Sequence, residues 1–305
     1  MRYFRFIVIF FFALSVLAML FPDSSPCQSD AQVKAIMVKI NELKKQGNFQ
    51  EAIPLTETLL KIVERRVGPE HDFYAITLNN LASLYVKTGR YTEAEHTYKG
   101  AIGLFERKYG MDHQHVATCV SNLAEVYYTV ERYDEAEKLL KRSLGIREKA
   151  FGPSHPDVGQ SLYNLAMLYW LTGRYVESEE MHRRALSIRE SALGPDHISL
   201  SANLNGFAVL CQATGRYVEA EDLFKRALAI REKALGPHHP DVAQSVNNLA
   251  VLYWKTERYE EAVPLFKRAL GITERTLGPD HPIVASGLNN LAHVYRAGGR
   301  YKEAA

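Results

Sequence analysis

A period of 42 residues constrains what this chain can fold into more than any other feature of its sequence. One tyrosine recurs with this period along most of the chain, at Tyr91, Tyr133, Tyr175, Tyr217, Tyr259 and Tyr301. A glycine followed three residues later by a histidine keeps the same period, from Gly68 and His71 to Gly278 and His281. Two marks in one fixed register indicate stacked copies of a single supersecondary unit. This interpretation takes precedence over the estimate of about two domains that chain length alone gives.

Each period contains two apolar patterns with helical spacing. In the sixth, apolar residues from Val242 to Tyr253 recur at intervals of three and four residues, which predicts a first helix. Asp241 precedes this pattern and is expected to cap the helix, since a carboxylate accepts hydrogen bonds from the first amides. A second helix is predicted over 259–277 and ends at Gly278, which tolerates the left-handed backbone of a helix end. The repeats show no alternation typical of strands, so the sequence predicts an all-α fold.

Small residues recur where the two helices of a unit come closest. Ala250 on the first helix and Ala262 on the second have counterparts in the other units. One such helical hairpin cannot bury its apolar face alone, so neighbouring hairpins must stack. We therefore expect a right-handed superhelical solenoid of stacked helix-turn-helix repeats with a concave groove. The units are predicted at 32–73, 74–115, 116–157, 158–199, 200–241 and 242–283, with a truncated seventh at 284–305.

The amino terminus has a different composition from the repeats. A short basic start precedes an uncharged apolar stretch over 6–21, and the chain then becomes polar. This is the pattern of a secretory signal peptide, with small residues suited to cleavage after Ala31. We expect residues 1–31 to be removed and the protein to be exported, into the periplasm or the extracellular space. In the alternative, 6–21 stays uncleaved and anchors the protein in a membrane, although a full span usually takes about 20 residues.

Charge and motif content exclude several function classes. Lys plus Arg total 37 against 35 for Asp plus Glu, and no basic run is present, so the sequence gives no case for nucleic-acid binding. The loop histidines come one to a repeat, whereas a metal ion needs three or four convergent ligands. We expect these histidines to cap helices or to pack in loops, without a metal. No phosphate-binding, serine-hydrolase or zinc-protease motif is present, and we expect neither a cofactor nor catalysis.

The fifth repeat departs from the pattern at two positions. Gly206 stands within its first helix, where glycine costs about 1 kcal/mol relative to alanine, and Cys211 replaces the core tyrosine. We expect local softness or a bend over 199–216. Cys211 and Cys119 lie singly in separate repeats, so both are expected to fill the core and to form no disulfide.

The residues that recur in each unit resemble the tetratricopeptide repeat. The first helix carries Leu249-Ala250-x-x-Tyr253, and the second carries Tyr259-x-x-Ala262. The 42-residue length, together with Leu-Asn-Asn-Leu-Ala, Arg-Ala-Leu-x-Ile-Arg-Glu and Leu-Gly-Pro-x-His-Pro, is similar to the repeats of kinesin light chains and of bacterial proteins with repeats of that type. The resemblance covers about 32–305 and implies a binding scaffold, although such repeats serve many partners.

An asparagine precedes the Leu-Ala pair of the first helix in five repeats, although asparagine is a poor residue for a helix interior. In the kinesin light chains that the sequence resembles, this asparagine faces the concave groove and binds the backbone of a cargo peptide. The arginine of Ile-Arg-Glu contacts acidic cargo residues there. The resemblance therefore implies a peptide-binding groove at Asn80, Asn122, Asn164, Asn248 and Asn290 and at Arg147, Arg189 and Arg231. In the alternative, the asparagines bond between adjacent helices and fix the stacking of repeats.

A second set of candidate residues lies one position after the core tyrosine. Tyr128, Trp170 and Trp254 occupy this position in three repeats, and other residue types occupy it elsewhere. Variation at one register position is typical of a ligand-facing surface and also of simple solvent exposure. Two tryptophans favour the groove, because tryptophan is enriched among the residues that dominate binding energy.

The sequence as a whole favours an exported scaffold or adaptor that binds a peptide or protein segment in its groove, without chemistry of its own. One alternative is the amino-terminal regulatory part of a larger enzyme. Ala305 lies in the first turn of a second helix, and bacterial proteins with similar repeats often continue into a caspase-like peptidase domain. The other alternative is a kinesin-type cargo adaptor. The signal-like amino terminus and the absence of a heptad coiled coil argue against that role.

Overall fold

The structure is a computed structural model that describes residues 28–299. The predicted signal peptide lies outside these residues apart from its last four positions. Tyr301 and the start of the second helix of the seventh repeat also lie outside them. Among the helices of residues 28–299, none combines the length and the hydropathy that a membrane span requires. Export and anchoring both stay predictions.

The described residues form thirteen α-helices and no strand, which confirms the all-α prediction. The helices are α1 (Gln28–Gln46), α2 (Phe49–Val67), α3 (Asp72–Lys87), α4 (Tyr91–Tyr109), α5 (Gln114–Thr129), α6 (Tyr133–Phe151), α7 (Pro156–Leu171), α8 (Tyr175–Leu193), α9 (Leu200–Ala213), α10 (Tyr217–Leu235), α11 (Pro240–Lys255), α12 (Tyr259–Leu277) and α13 (Pro282–Ala297). Odd-numbered helices are the first helices of repeats and even-numbered helices the second. The recurring tyrosine begins α4, α6, α8, α10 and α12, and α12 has the bounds predicted for it.

The chain divides into two compact units between Pro153 and Ser154. The described part of the first unit contains α1 to α6, and that of the second contains α7 to α13. Within each unit, helices that follow one another in the sequence pack together in chain order, as in an α-helical repeat solenoid. The right-handed superhelix and its concave groove stay predictions.

The small positions of the repeat are buried as predicted. They are Ala82, Ala94, Ala124, Ala136, Ala166, Ser178, Ala208, Ala220, Ala250 and Ala262. At each, a larger side chain would push apart two helices whose interiors pack at crystal-like density. Cys119 and Cys211 are buried and unbridged, which confirms that they fill the core.

The loop histidines cap the first helices, and the predicted role of Asp241 was wrong. The Nδ1 atom of His239 accepts a hydrogen bond from the Asp241 amide at 3.1 Å, and the helix begins at Pro240. His239 has the extended backbone of an N-cap residue and accepts from the amide two residues later, so the histidine and not the aspartate caps the helix. The same bond recurs at His71, His113, His155, His197 and His281.

The turn between the two helices of a repeat needs one residue with a left-handed backbone. Gly215 fills this position in the fifth repeat with φ 78°, whereas Glu257 fills it in the sixth with φ 60°. Glutamate carries a steric cost there that glycine does not. Glu257 therefore lies in a tight turn between α11 and α12.

Candidate functional site

Two of the predicted asparagines link neighbouring repeats. Asn122 on α5 is buried, and its Nδ2 atom donates to Oδ1 of Asn79 on α3 at 2.9 Å. Asn290 on α13 makes the equivalent bond to Asn247 on α11 at 3.3 Å. Each bond joins the first helix of one repeat to the first helix of the next. These contacts are those that the stacking alternative predicts, and the groove role of these two residues stays a prediction.

The remaining asparagines differ in how accessible they are. Asn164 on α7 is buried, and its Oδ1 atom accepts from Nε2 of Gln160 one turn earlier at 2.9 Å. Asn80 on α3 and Asn248 on α11 are half-buried. Neither of these two amides has a hydrogen-bond partner within residues 28–299. An amide can both donate and accept, so Asn80 and Asn248 have capacity for an outside backbone.

Two of the three predicted arginines are buried. Arg189 on α8 is 3% exposed and Arg231 on α10 is 5% exposed, whereas Arg147 on α6 is half-buried. Arg189 donates to the backbone oxygen of Ser199 at 3.1 Å and to Oε1 of Gln160 at 2.6 Å. Its guanidinium therefore spans from the loop before α9 to the middle of α7.

Arg231 ties α10 to both neighbouring first helices. Its Nε atom donates to Oγ of Ser201 on α9 at 3.2 Å, and Nη1 donates to Oγ of Ser245 on α11 at 2.8 Å. Nη1 also reaches the backbone oxygen of Asp241 and Oε1 of Gln244. All these acceptors are neutral, and burial lowers the pKa of Arg231. Within the described residues, this buried charge is solvated mainly by dipoles and forms no salt bridge, although the Asp241 carboxylate acts to raise its pKa.

The three predicted aromatic residues also differ in exposure. Trp254 on α11 is 37% exposed, whereas Trp170 on α7 is half-buried and packs against the core of the second unit. Tyr128 on α5 is half-buried, and burial raises its pKa to about 12. Since the chain contains two tryptophans in all, both lie at this register position.

Helix α11 brings the accessible candidates onto one face. Its partly or fully exposed residues over 244–255 are Gln244, Asn247, Asn248, Val251, Trp254 and Lys255. At 100° per residue these positions fall within a sector of roughly 120°. The opposite side carries the buried residues that pack on neighbouring helices. We call this sector the α11 face.

A charged cluster that was not predicted from the sequence recurs between repeats. In the sixth repeat the hydroxyl of Tyr253 donates to Glu221 at 2.8 Å, and Arg258 bonds the same carboxylate at 2.5 Å while its guanidinium lies 4.0 Å from the tyrosine ring centre. Burial acts to raise the pKa of Glu221, but hydrogen bonds from Arg258, Lys225 and Tyr253 lower it to about 2. Tyr127, Glu95 and Arg132 form the same cluster in the first unit.

This Tyr-Glu-Arg cluster joins the second helix of one repeat to the next repeat. Its signal was present in the sequence, because glutamates at 95, 137, 179 and 221 follow the 42-residue period. In the fifth repeat Cys211 takes the tyrosine position, and Arg216 still bonds Glu179 at 2.8 Å. At Glu95, Glu179 and Glu221 these contacts explain the recurring charge as packing between repeats.

No group of three or more His, Cys, Asp or Glu residues within 28–299 is arranged to hold a metal ion. The expectation of no metal was drawn from spacing alone. His113 and His115 lie two positions apart in the sequence, and their rings, whose centres are 4.9 Å apart, pack with Tyr109 and Phe105.

The family model for the tetratricopeptide repeat matches almost the whole repeat region. Its matches overlap and cover 43–107, 74–149, 116–191, 157–233, 199–275 and 241–305. No curated protein sequence matches the chain significantly.

Several crystal structures are similar to this chain. A putative kinesin light chain with nearly identical TPR-like repeats from Podosopora anserina is 26% identical, with a TM-score of 0.56, and the match covers 68% of this chain and 98% of that one. BtubC (BKLC) from P. vanneervenii is 20% identical, with a TM-score of 0.60 and coverage of 85% and 95%. The apo form of RapI is 15% identical, with a TM-score of 0.65 and coverage of 90% and 93%. The last two matches show the fold alone.

Proposed function

Because the chain belongs to the tetratricopeptide repeat family, in its kinesin-light-chain-like form, we propose that it binds a peptide or protein segment through the exposed faces of its first helices. Repeats of this family serve in general as scaffolds for protein–protein interaction. The α11 face is the part of that surface best equipped for binding. The regulatory role beside a peptidase domain and the kinesin-type cargo role stay predictions.

One observation carries this proposal: Asn248, whose amide has no hydrogen-bond partner within residues 28–299, lies on the same face of α11 as the exposed Trp254. An extended peptide has backbone donors and acceptors that an amide side chain can match. Tryptophan supplies a large, rigid apolar surface, and such residues dominate the energy of many interfaces. Gln244 and Asn247 on the same face add further amide groups. The combination suits a peptide backbone with an apolar side chain against the indole.

The arginines act on this surface indirectly. Since Arg231 is 5% exposed and bonds Gln244, its charge lies beneath the α11 face. A buried charge without an ion pair is screened less by salt than a surface charge, so it attracts a carboxylate of a bound segment over a short distance. We therefore propose that acidic segments are favoured electrostatically, without the direct contact that the resemblance implies.

The test is selection of binders from a random displayed peptide library on the wild-type protein. The selected peptides are then measured against a double variant, Asn248→Ala with Trp254→Ala. Loss of one central aromatic anchor typically costs 2 kcal/mol or more, so we expect affinity to fall at least roughly 30-fold. The matched control is Val218→Ala at the start of α10, where the side chain is 79% exposed and lies off the α11 face.

The control separates two binding surfaces. Val176 and Val218, at equivalent positions of α8 and α10, are the most exposed large apolar side chains of the described residues, so we take them as the competing apolar surface of the second unit. Peptides that lose affinity in Val218→Ala and keep it in the double variant would assign binding to that surface. The scaffold proposal would be contradicted if the selection gave no displayed peptide whose binding is competed by the same peptide free in solution.

A further inference from the structure

A histidine is fully buried at a position where the other repeats place tyrosine, leucine or phenylalanine. His182 lies on α8, and its counterparts one and two periods away include Leu140, Phe224 and Phe266. A fully buried imidazole is uncommon unless both of its nitrogens are satisfied. The contacts of this ring therefore decide what it does.

Only one nitrogen of His182 has a partner in the described part of the chain. Nδ1 lies 2.5 Å from Oδ1 of Asn203 on α9, and Nδ2 of Asn203 donates to the backbone oxygen of His182 at 3.3 Å. Because the amide oxygen can only accept, Nδ1 carries the hydrogen and Nε2 carries a lone pair. Nε2 is buried and has no hydrogen-bond partner within residues 28–299.

The ring of His182 is closely packed where α7, α8 and α9 meet. A Cβ atom added to Gly206 would lie 2.9 Å from Cε1 of His182, 3.0 Å from Sδ of Met167 and 3.2 Å from Tyr163. The ring stacks on Phe207, with centroids 5.6 Å apart and planes 16° apart. Glycine is therefore required at 206 by packing, and the imidazole is held among carbon and sulfur atoms.

Few charged groups face this ring. On α8 itself, Glu179 and Arg183 are the nearest charges, and Glu179 is bonded to both Arg183 and Arg216. Helix α7 contributes Tyr163, and α9 carries no charged side chain. The thiol of Cys211 on α9 stays neutral because burial raises its pKa to about 12. A protonated His182 would thus have no free carboxylate to pair with.

We propose that the contact between α8 and α9 is an acid-sensitive joint, in which protonation of His182 at Nε2 loosens the fourth repeat from the fifth. A proton on Nε2 creates a buried donor and a buried charge without an acceptor. The stack on Phe207 and the close approach to Gly206 prevent the ring from turning toward solvent. Opening the joint exposes the ring to water, which solvates the charge and accepts a hydrogen bond from Nε2.

The direction and range of the pH effect follow from the ring's surroundings. Burial is the largest influence and lowers the pKa of His182 from 6.5 to about 4. The imidazole therefore binds a proton more weakly in the closed joint than in the open joint. The free energy that holds the joint closed is at its full value above about pH 6.5 and is lost as the pH falls toward 4. Between pH 7 and pH 5, the open fraction of the joint is expected to rise roughly 20-fold.

Hydrogen exchange of the full chain, corrected for the intrinsic effect of pH, tests this joint. At pH 5 relative to pH 7, we expect faster exchange in α8 and α9 and little change in α10 and α11. The matched variant is His182→Phe with Asn203→Ser, which copies the Phe224 and Ser245 pair one period later. In that variant α8 and α9 are expected to keep their protection at pH 5.

Two outcomes would overturn the proposal. One is an equal loss of protection at pH 5 in both helix pairs, and the other is the same loss in wild type and variant. If the variant does not fold, proton NMR titration of His182 in the wild type decides the question. An apparent pKa below 5 supports the joint, and a pKa near 6.5 with no change in α8 and α9 contradicts it.

Discussion

The fifth and sixth repeats have the same backbone plan and different buried chemistry where each meets the repeat before it. Where the sixth repeat meets the fifth, Phe224 on α10 and Ser245 on α11 are buried, and Tyr253 completes the charged cluster with Glu221. Where the fifth repeat meets the fourth, the equivalent positions hold His182, Asn203 and Cys211. The period fixes where helices lie, whereas the residues buried between them change together as a set.

The first helix of the fifth repeat is also shorter. Helix α9 has 14 residues and begins at Leu200, whereas α11 has 16 and begins at Pro240. The fifth repeat has Ile198 and Ser199 where the sixth has Pro240 and Asp241, so it lacks a proline suited to the first helical position. Close packing explains why glycine occupies position 206 in α9. The local softness expected over 199–216 stays a prediction.

The largest effect is expected when the contact between the fifth and sixth repeats receives the histidine alone. Phe224→His places an imidazole in an apolar core. The asparagine that bonds His182 has no equivalent there, because Ser245 occupies the position that corresponds to Asn203. Lost packing and an unsatisfied polar group are expected to cost about 3 kcal/mol of unfolding free energy in urea denaturation.

Adding Ser245→Asn and Asn248→Gly to Phe224→His completes the set of the fifth repeat. This triple variant is expected to recover much of the loss, since both the hydrogen-bond partner and the space are then supplied. If the triple variant is no more stable than the single one, the buried residues do not act as a set.

The next effect concerns the space at Gly206. Gly206→Asn restores the residue common in the other repeats, but its side chain would collide with His182, Met167 and Tyr163. Overpacking of this kind typically costs 1–3 kcal/mol, and we expect about 2 kcal/mol by urea denaturation. Gly145→Asn on α6 is the control, since a Cβ atom there meets nothing within 4 Å. A similar cost at both glycines would contradict the packing explanation.

A smaller effect is expected from the charged cluster of the sixth repeat. The pKa of Glu221 is held at about 2, below its ordinary value of 4.5, so its contribution is present above pH 4.5 and is lost as the pH falls toward 2. Because the cluster lies near solvent, Glu221→Gln is expected to cost only about 1 kcal/mol at pH 7.

The matched change at the contact between the fourth and fifth repeats is Glu179→Gln, where Cys211 supplies no hydroxyl. Its cost at pH 7 is expected to be smaller than that of Glu221→Gln, and the difference should narrow below pH 4.5. Equal costs, unchanged by pH, would show that the tyrosine adds nothing to the cluster.

The smallest effect is expected at the turns. Glu257→Gly removes a glutamate from a left-handed backbone and is expected to raise the unfolding free energy by about 0.5 kcal/mol. Gly215→Glu makes the reverse change in the fifth repeat and is expected to lower it by a similar amount. Thermal unfolding of both variants checks the pair, and changes of the same sign would refute the backbone argument.

The period made most of the fold predictable, because it repeats each local signal many times. Buried alanines, the start of second helices at tyrosine and the histidine caps all follow from residue types in fixed register. The cap at Asp241 was misplaced because the sequence shows an aspartate, a common capping residue, next to the apolar pattern, whereas the helix begins one residue earlier and His239 caps it.

The site was less predictable because its partners lie in other repeats. Sequence shows that Arg231 recurs, but its acceptors on Ser201 and Ser245 are 30 and 14 positions away. Whether an arginine is accessible depends on these contacts, which no local pattern reveals. His182 is visible as a break in an apolar register, yet its partner Asn203 lies 21 positions further on.

The central claim is that the exposed face of a first helix binds a protein segment, and a crystal structure of the chain with its tightest selected peptide tests this most directly. We predict a peptide lying along the α11 face, with its backbone bonded to Asn248 and an apolar side chain against Trp254. A peptide seated instead on Val176 and Val218, with the α11 face empty, would contradict the account.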